Sequence, residues 1–273
     1  MRNRSWLLYV GLVATVLFSV APLYFMAVMA SRVNDEIVAL PPPFTFGGSL
    51  FSNVGRVFDN PDVLFGQALL NSLLVATIAT VCVVVSSSLA GFAFAKLKFR
   101  GRNVLLLFVV GTMMVPVQLG LIPLYMLMTK LGLNGTLESV TLPFVVAGFG
   151  VFMMRQFAEQ AIPDEMIEAA RVDGASTFRI FFSIVFPALR PAAAVLGLLT
   201  FMERWNDFLW PYLTLDAEHP TVQVALSRLS SGYYSDQSLI MAGTLVGTLP
   251  LVVVFIVFGR QIIGGIMEGG LKS

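Results

Sequence analysis

Six long apolar stretches, near 6–30, 68–95, 104–128, 137–157, 188–212 and 237–259, alternate along the chain with short polar, proline- or glycine-rich connections. Each is long enough for a helix crossing the ~30 Å hydrocarbon core of a bilayer, which takes about 20 residues. The pattern predicts an all-α polytopic membrane protein, a single transmembrane domain of six helices over residues 1–273. The first stretch follows Arg2 and Arg4, and Val28-Met29-Ala30 resembles a cleavage site. Its apolar core runs without interruption from Trp6 to Ala30, whereas a signal-peptide core has about 7–15 residues, so an uncleaved anchor helix is predicted.

Lysine and arginine placement orients the bundle. With the N-terminus inside, the inner segments hold Arg2, Arg4, Lys96, Lys98, Arg100, Arg102, Arg155, Arg171, Arg179, Arg190, Arg260 and Lys272. The outer ones hold only Arg32, Arg56, Lys130 and Arg228. Both termini are therefore expected in the cytoplasm, with outer loops at 31–67 and 213–236 and the main inner loop at 160–186. In the first outer loop Pro41-Pro42-Pro43, Gly47-Gly48 and Asn60-Pro61 favour extended or turn structure over helix, predicting an irregular cap. The basic turn from Lys96 to Arg102 is expected to act as a topology determinant near lipid phosphates.

Polar residues inside the spans mark where chemistry is costly. Pro116, followed by Gln118, Gly120 and Pro123, predicts a kink or interruption in the third span. Such a break serves either a substrate path, with Pro116 and Gln118 lining it, or a purely structural bend. Gly243, Gly247 and Pro250 permit close helix approach and a second kink in the sixth span. The fifth span holds Glu203, Arg204, Asn206 and Asp207 between Trp205 and Trp210. Arg204 and Asp207 are three apart and placed to pair, while Glu203 requires a different partner or water. Ionisable residues in a span face a bundle interior or an aqueous path, so these four are candidates for a pathway or subunit contact. In the second outer loop Ser231, Gly232, Tyr233 and Tyr234 suit contact with a carbohydrate or a protein, and equally suit ordinary loop.

Composition narrows the classes. The chain is 57% hydrophobic and 12% charged, which excludes a soluble domain of this length. A net charge of +1 gives no basis for a nucleic-acid partner. One cysteine, Cys82 in an apolar run, rules out an internal disulfide or a cysteine-based metal site; one histidine, His219, argues against a histidine-ligated metal or a Ser-His-Asp triad. No metal site and no catalytic residues are predicted. No Gly-x-x-x-x-Gly-Lys-Ser/Thr phosphate loop is present either, so this chain is expected to be no enzyme and to draw nucleotide energy from another polypeptide.

Against this background the segment 162–176 is a charged, helix-forming island. Pro163 suits a helix start, Asp164 and Glu165 suit the positive end of the helix dipole, and Gly174 is placed to close the helix in a left-handed conformation. Glu168 and Arg171 are spaced to pair. Ser176 is placed to cap a second short helix through Phe182, with Pro187 marking the return to the membrane. A lipid-surface helix would be enriched in basic residues. Here Asp164, Glu165, Glu168 and Asp173 outnumber Arg171 and Arg179, so a protein partner is predicted.

Glu168-Ala169-Ala170, Gly174, Ile184, Phe186 and Pro187, at these spacings, resemble the EAA loop of ABC-importer inner-membrane permeases, with Phe186 where the family has Leu. Pro43-Phe44-Thr45-Phe46, Asn71-Ser72-Leu73, Gly91-Phe92-Ala93-Phe94-Ala95, Ile122-Pro123-Leu124-Tyr125, Trp205-Asn206-Asp207-Phe208-Leu209-Trp210-Pro211 and the tail Gly269–Ser273 resemble its carbohydrate-uptake branch, in particular the smaller of the two maltose-type permease subunits. The resemblance implies the type I importer permease fold. It implies a second homologous permease subunit, an ABC ATPase dimer that holds ATP and Mg, and an extracytoplasmic sugar-binding protein, all at the prokaryotic inner membrane. No cofactor is implied in this chain. It assigns coupling to the ATPase to Glu168, Ala169, Ala170, Arg171, Asp173, Gly174, Ile184 and Pro187, contact with the binding protein to roughly Leu215–Asp236, and approach to the ATPase interface to Ile266–Ser273. A self-sufficient secondary transporter or channel is the rival: kinked helices and Glu203 favour it, and an anionic inner loop with no partner to serve opposes it.

Overall fold

The computed structural model describes residues 5–231 and 236–270. Its elements are α1 (Ser5–Ala30), α2 (Asn34–Ile37), α3 (Leu50–Phe58), α4 (Phe65–Lys96), α5 (Arg102–Thr112), α6 (Leu121–Lys130), α7 (Leu137–Thr141), α8 (Gly148–Ala161), α9 (Asp164–Val172), α10 (Thr177–Ile180), α11 (Phe186–Trp205), α12 (Leu209–Thr214), α13 (Val222–Ser230) and α14 (Gln237–Gly270). There is no strand among the described residues. Among the described residues five helical runs have the length and apolarity to cross a membrane, or six when α5 and the 117–130 segment are taken together. In lipid a helix needs no buried stripe, because its side chains face hydrocarbon in place of water. Hence most of α1 from Trp6 to Phe25 is exposed apolar surface.

Two expectations are corrected and a third is met. In the third span, where a kink or an interruption is expected, the helix is interrupted: α5 ends at Thr112, a 3₁₀ turn follows at Val117–Gly120, and the two arms meet at 90°. Pro116, with no N–H to donate, stands at the start of that turn. The fifth span does not continue to 212; α11 stops at Trp205 and α12 begins anew at Leu209. The 31–67 connection is not wholly irregular, since α2 and α3 lie within it.

The chain forms two compact units. The first comprises Met1–Ala68 and Val224–Pro250. In it the Phe44–Gly47 segment is strapped to the end of α1: the Tyr24 hydroxyl donates to the Phe44 carbonyl at 2.7 Å, and Arg32 donates to the Thr45 carbonyl. Buried Asn53 on α3 donates to the Ala30 and Arg32 carbonyls, satisfying acceptors that the end of α1 leaves open. Arg56 pairs with Asp236 at 2.6 Å, and Asn34 accepts the Gln237 amide, so the start of α14 is tied to α2 and α3.

The second unit comprises Leu69–Gln223 and Leu251–Ser273. Its main core draws Val83 and Phe92 from α4, Met154 and Ala158 from α8, Ile167 from α9, Phe181 and Val185 from the turn after α10, and Leu189 and Leu196 from α11. A smaller cluster joins Val75, Met128, Val140 and Trp210, whose indole Nε1 donates to the Ser139 carbonyl at 2.9 Å. The contact between α4 and α8 requires Gly91, because a Cβ there would lie 2.7 Å from the Met154 carbonyl carbon and the Arg155 nitrogen. Backbone cannot yield as a flexible side chain can. Gly91→Ala is therefore expected to destabilise the chain by about 1–3 kcal/mol, read as a lowered melting temperature in detergent.

Candidate functional site

The charged island forms α9 with Asp164 and Glu165 in its first turn and Pro163 just before it at φ −60° and ψ 143°. Negative charge there opposes the unpaired N–H groups of the helix start. Ile167 is the buried residue of α9 and enters the main core; Ala170 and Ala175 pack partly against the same core. The opposite side presents Glu165, Met166, Glu168, Ala169 and Val172 to the surface, Val172 being 89% exposed. A nine-residue helix with one buried side chain is too short to be stable by propensity alone, so tertiary contacts and its ends must hold it.

Both ends are built accordingly. At the C-terminus Gly174 adopts φ +79°, a left-handed conformation costly for residues with a Cβ. The Ala175 amide then donates to the Ala170 carbonyl at 2.9 Å, and the Gly174 amide to the Arg171 carbonyl at 3.0 Å. This pair of bonds is the Schellman closure, and the two alanines it aligns are the ones that pack on the core. At the N-terminus Asp164 accepts from the Lys96 ammonium, the last residue of α4, at 2.7 Å. That hydrogen bond, reinforced by the Lys96 charge and more weakly by Lys98, holds the Asp164 carboxyl below its ordinary pKa.

Beyond Gly174, the Ser176 hydroxyl accepts the Arg179 amide and caps α10, as its position predicts. The expected short helix ending near Phe182 is corrected: α10 runs through a π turn, Phe181–Val185, directly into α11. The Phe186 amide donates to the Phe181 carbonyl, closing the wide turn immediately before Pro187. A regular helix would drive the Pro187 ring into the carbonyl four residues back, and the wider turn relieves that crowding. Ile184 and Pro187 are half-buried, on the join between the charged segment and the span. The expected Glu168–Arg171 ion pair is also corrected: among the described residues the two do not pair. Both line a polar cavity of about 310 Å³ with Lys96, Lys98, Arg102, Glu159 and Asp164. Asp173, exposed, follows α9 as its cap residue.

The second group of candidates gathers where α11 stops. Arg204 is nearly buried, bonds Asp207 at 3.3 Å and lies 4.1 Å above the Phe144 ring. It also pairs with Glu203, so the separate partner expected for Glu203 is not needed. Asp207 accepts the Trp210 amide at the start of α12, and Asn206 donates its side-chain amide to the Met202 carbonyl. Arg204 and Asp207 thus shape the break, while Glu203 and Asn206 face outward. Pro116 and Gln118 are exposed at the other break; no hydrogen bond or ion pair joins them to the 203–207 group among the described residues. Ser231 donates to the Arg228 carbonyl and is exposed; Gly232, Tyr233 and Tyr234 lie outside the described residues. Lys96 and Phe144 were not singled out from sequence as site residues. The only signal was a lysine closing an apolar span; the 68-residue separation from Asp164 hides the pairing.

Gly174→Ala is expected to weaken the closure of α9 by about 1–2 kcal/mol, and Gly174→Asn by less, since asparagine tolerates the left-handed region. Faster hydrogen exchange of the Asp173, Gly174 and Ala175 amides measures this. The Lys96–Asp164 bond has a predictable pH sign as well. Because the folded-state pKa of Asp164 is depressed, its contribution is present through neutral pH and lost only as pH falls through that lowered value. Exchange at the start of α9 should rise in acid, and Asp164→Asn should remove that acid dependence.

Residues 83–262 match the family model described as binding-protein-dependent transport system inner membrane component. The chain is 33% identical over 276 residues to the arabinooligosaccharides transport system permease protein AraQ of Halalkalibacterium halodurans, covering 98% of this chain and 97% of that one. It is 34% identical over 255 residues to the lactose transport system permease protein LacG of Rhizobium radiobacter, covering 93% and 91%. Its fold matches a chain in the crystal structure of a bacterial ABC transporter involved in alginate import, with a TM-score of 0.80 at 24% identity over 96% of this chain and 97% of that one. The alginate-transporter chain matches in fold, and the family model and the two relatives show that the chain belongs to the binding-protein-dependent transport system inner-membrane components, the permease subunits of ABC importers.

Proposed function

We propose that this chain forms half of the translocation pathway of an ATP-driven, binding-protein-dependent importer for a sugar, and that α9 is the helix through which a separate ATPase drives it. The observation that carries this reading is the construction of α9. It buries Ile167 in the main core, is closed by Gly174, and leaves an acidic and apolar face uncovered beside exposed Phe178 and Phe182. Exposed apolar side chains interspersed with carboxylates suit a protein cleft better than anionic lipid. The carbohydrate class is supported by the arabinooligosaccharide and lactose permeases among the relatives.

In this scheme the lysine and arginine distribution puts residues 160–186 and both termini on the cytoplasmic side, and residues 31–67 and 213–236 outside. The ATPase dimer holds ATP and Mg, a second permease subunit completes the pathway, and an external sugar-binding protein engages the segment around Ser231–Tyr234. Closure of the ATPase pair moves α9 as a rigid body. From α10 the chain is helical without interruption to Trp205, 29 residues from Thr177, or about 43 Å. A displacement at Gly174 is thereby carried across the membrane to the Arg204–Asp207 break, where Glu203 and Asn206 face outward. The Pro116–Gln118 break offers a second place where unwound backbone lines the path.

A cysteine at Ala169, which is exposed on α9, is expected to crosslink to the ATPase, with a yield that changes when nucleotide is bound. Glu168→Lys reverses one charge of the docking face and is expected to separate ATP hydrolysis from uptake. Unchanged coupling in that variant contradicts the docking role.

A further inference from the structure

The structure assigns a second output to α9: we propose that Lys96 and Asp164 are positioning residues that link the coupling helix to the inner end of α4, so that α4 moves with α9 alongside α11. This rests on the coupling role of α9 proposed above. A lysine closing an apolar span ordinarily extends its ammonium to lipid phosphates. Lys96 does not. Its side chain is only 5% exposed, and its Nζ is committed to the Asp164 carboxylate at 2.7 Å. A charge-assisted hydrogen bond is stronger than a neutral one and fixes direction as well as distance, here between an enclosed ammonium and a carboxylate that is itself 76% exposed.

Lys98, Glu168 and Arg171 line the same cavity, Lys98 adding a weaker coulombic pull on Asp164, but none of them forms an ion pair with Lys96 or Asp164 among the described residues. Glu159 is taken by Arg155 at 2.9 Å, and Arg102 reaches the Leu97 carbonyl. Apolar packing beside the bond runs the same way, since Ile167 of α9 and Phe92 of α4 share the main core, where Phe92 lies 5.9 Å from Phe181. Thus α9 is held at its first residue by α4 and, through Gly174, is continuous with α11 at its last. A rigid-body tilt of a helix held at both ends must displace both holders. Side chains slide past one another in apolar contact, whereas the ion pair transmits a pull.

The test uses the complete assembly of this chain with its second permease subunit and ATPase pair, with Cys82→Ala to remove the native thiol. A bimane fluorophore is placed on Val85→Cys in α4 or on Leu199→Cys in α11, both exposed positions. Emission is compared before and after trapping with Mg-ATP and vanadate. With Lys96 and Asp164 intact, both labels are expected to respond. In Lys96→Met, and in Asp164→Asn, where an exposed side chain changes without disturbing the core, the α4 response should fall several-fold while the α11 response persists. The exchanged pair Lys96→Glu with Asp164→Lys should restore it, a rescue that simple loss of folding would not give. An unchanged α4 response in both single variants, a parallel loss at both labels, or no recovery in the exchanged pair overturns the inference while leaving the coupling role of α9 standing. If neither label responds in the protein with the native pair, the coupling role fails and this inference with it.

Discussion

A single buried side chain, Ile167, roots a charged helix in the main apolar core of the second unit, which it shares with residues of α4, α8 and α11. Fully burying an isoleucine is worth about 1.5–3 kcal/mol, too little to order nine residues whose backbones each cost about 1–2 kcal/mol. The helix ends must therefore contribute. Gly174 closes one end so that Ala170 and Ala175 meet the core, and Lys96 grips the other. The result is a helix firmly attached on one side and bare on the other, the form that suits an element moved from outside.

The far end of α11 follows the same logic with the signs reversed. Arg204 is a cation drawn out of water, and it is kept there by two carboxylates and an aromatic face. Asp207 in turn accepts the Trp210 amide in the first turn of α12, so the charge pair and the helix break are joined. Between these two polar ends lies a continuous helix, widened once by the π turn before Pro187. Extra room at that turn lets the chain carry a proline at the membrane entry without interrupting the helix.

Much of this was legible in the residues. Apolar run lengths locate the spans because the hydrocarbon thickness sets a minimum helix length. Gly174 was legible because a left-handed closure selects glycine, and Ser176 because a hydroxyl suits a helix start. What was not legible depends on contacts distant in sequence. The Arg204–Asp207 spacing suggested a pair, but nothing local indicated Phe144 beneath the guanidinium. Glu168 and Arg171 have helical pairing distance and yet do not pair, because spacing alone does not select a partner when other charges share the cavity. Pro116 announced a break but not its 90° angle, and the hydropathy of Phe208–Tyr212 concealed the stop at Trp205, after which Asp207 accepts the Trp210 amide in the first turn of α12.

The central claim is that the bare face of α9 is covered by an ATPase. Amide hydrogen exchange across 164–172, compared between the purified chain and the chain assembled with the ATPase pair, addresses it most directly. The account predicts strong additional protection concentrated in that segment, with the Asp173–Ala175 closure already protected in the chain alone. Exchange at 164–172 that is unchanged by assembly, with new protection elsewhere on the chain, would contradict it.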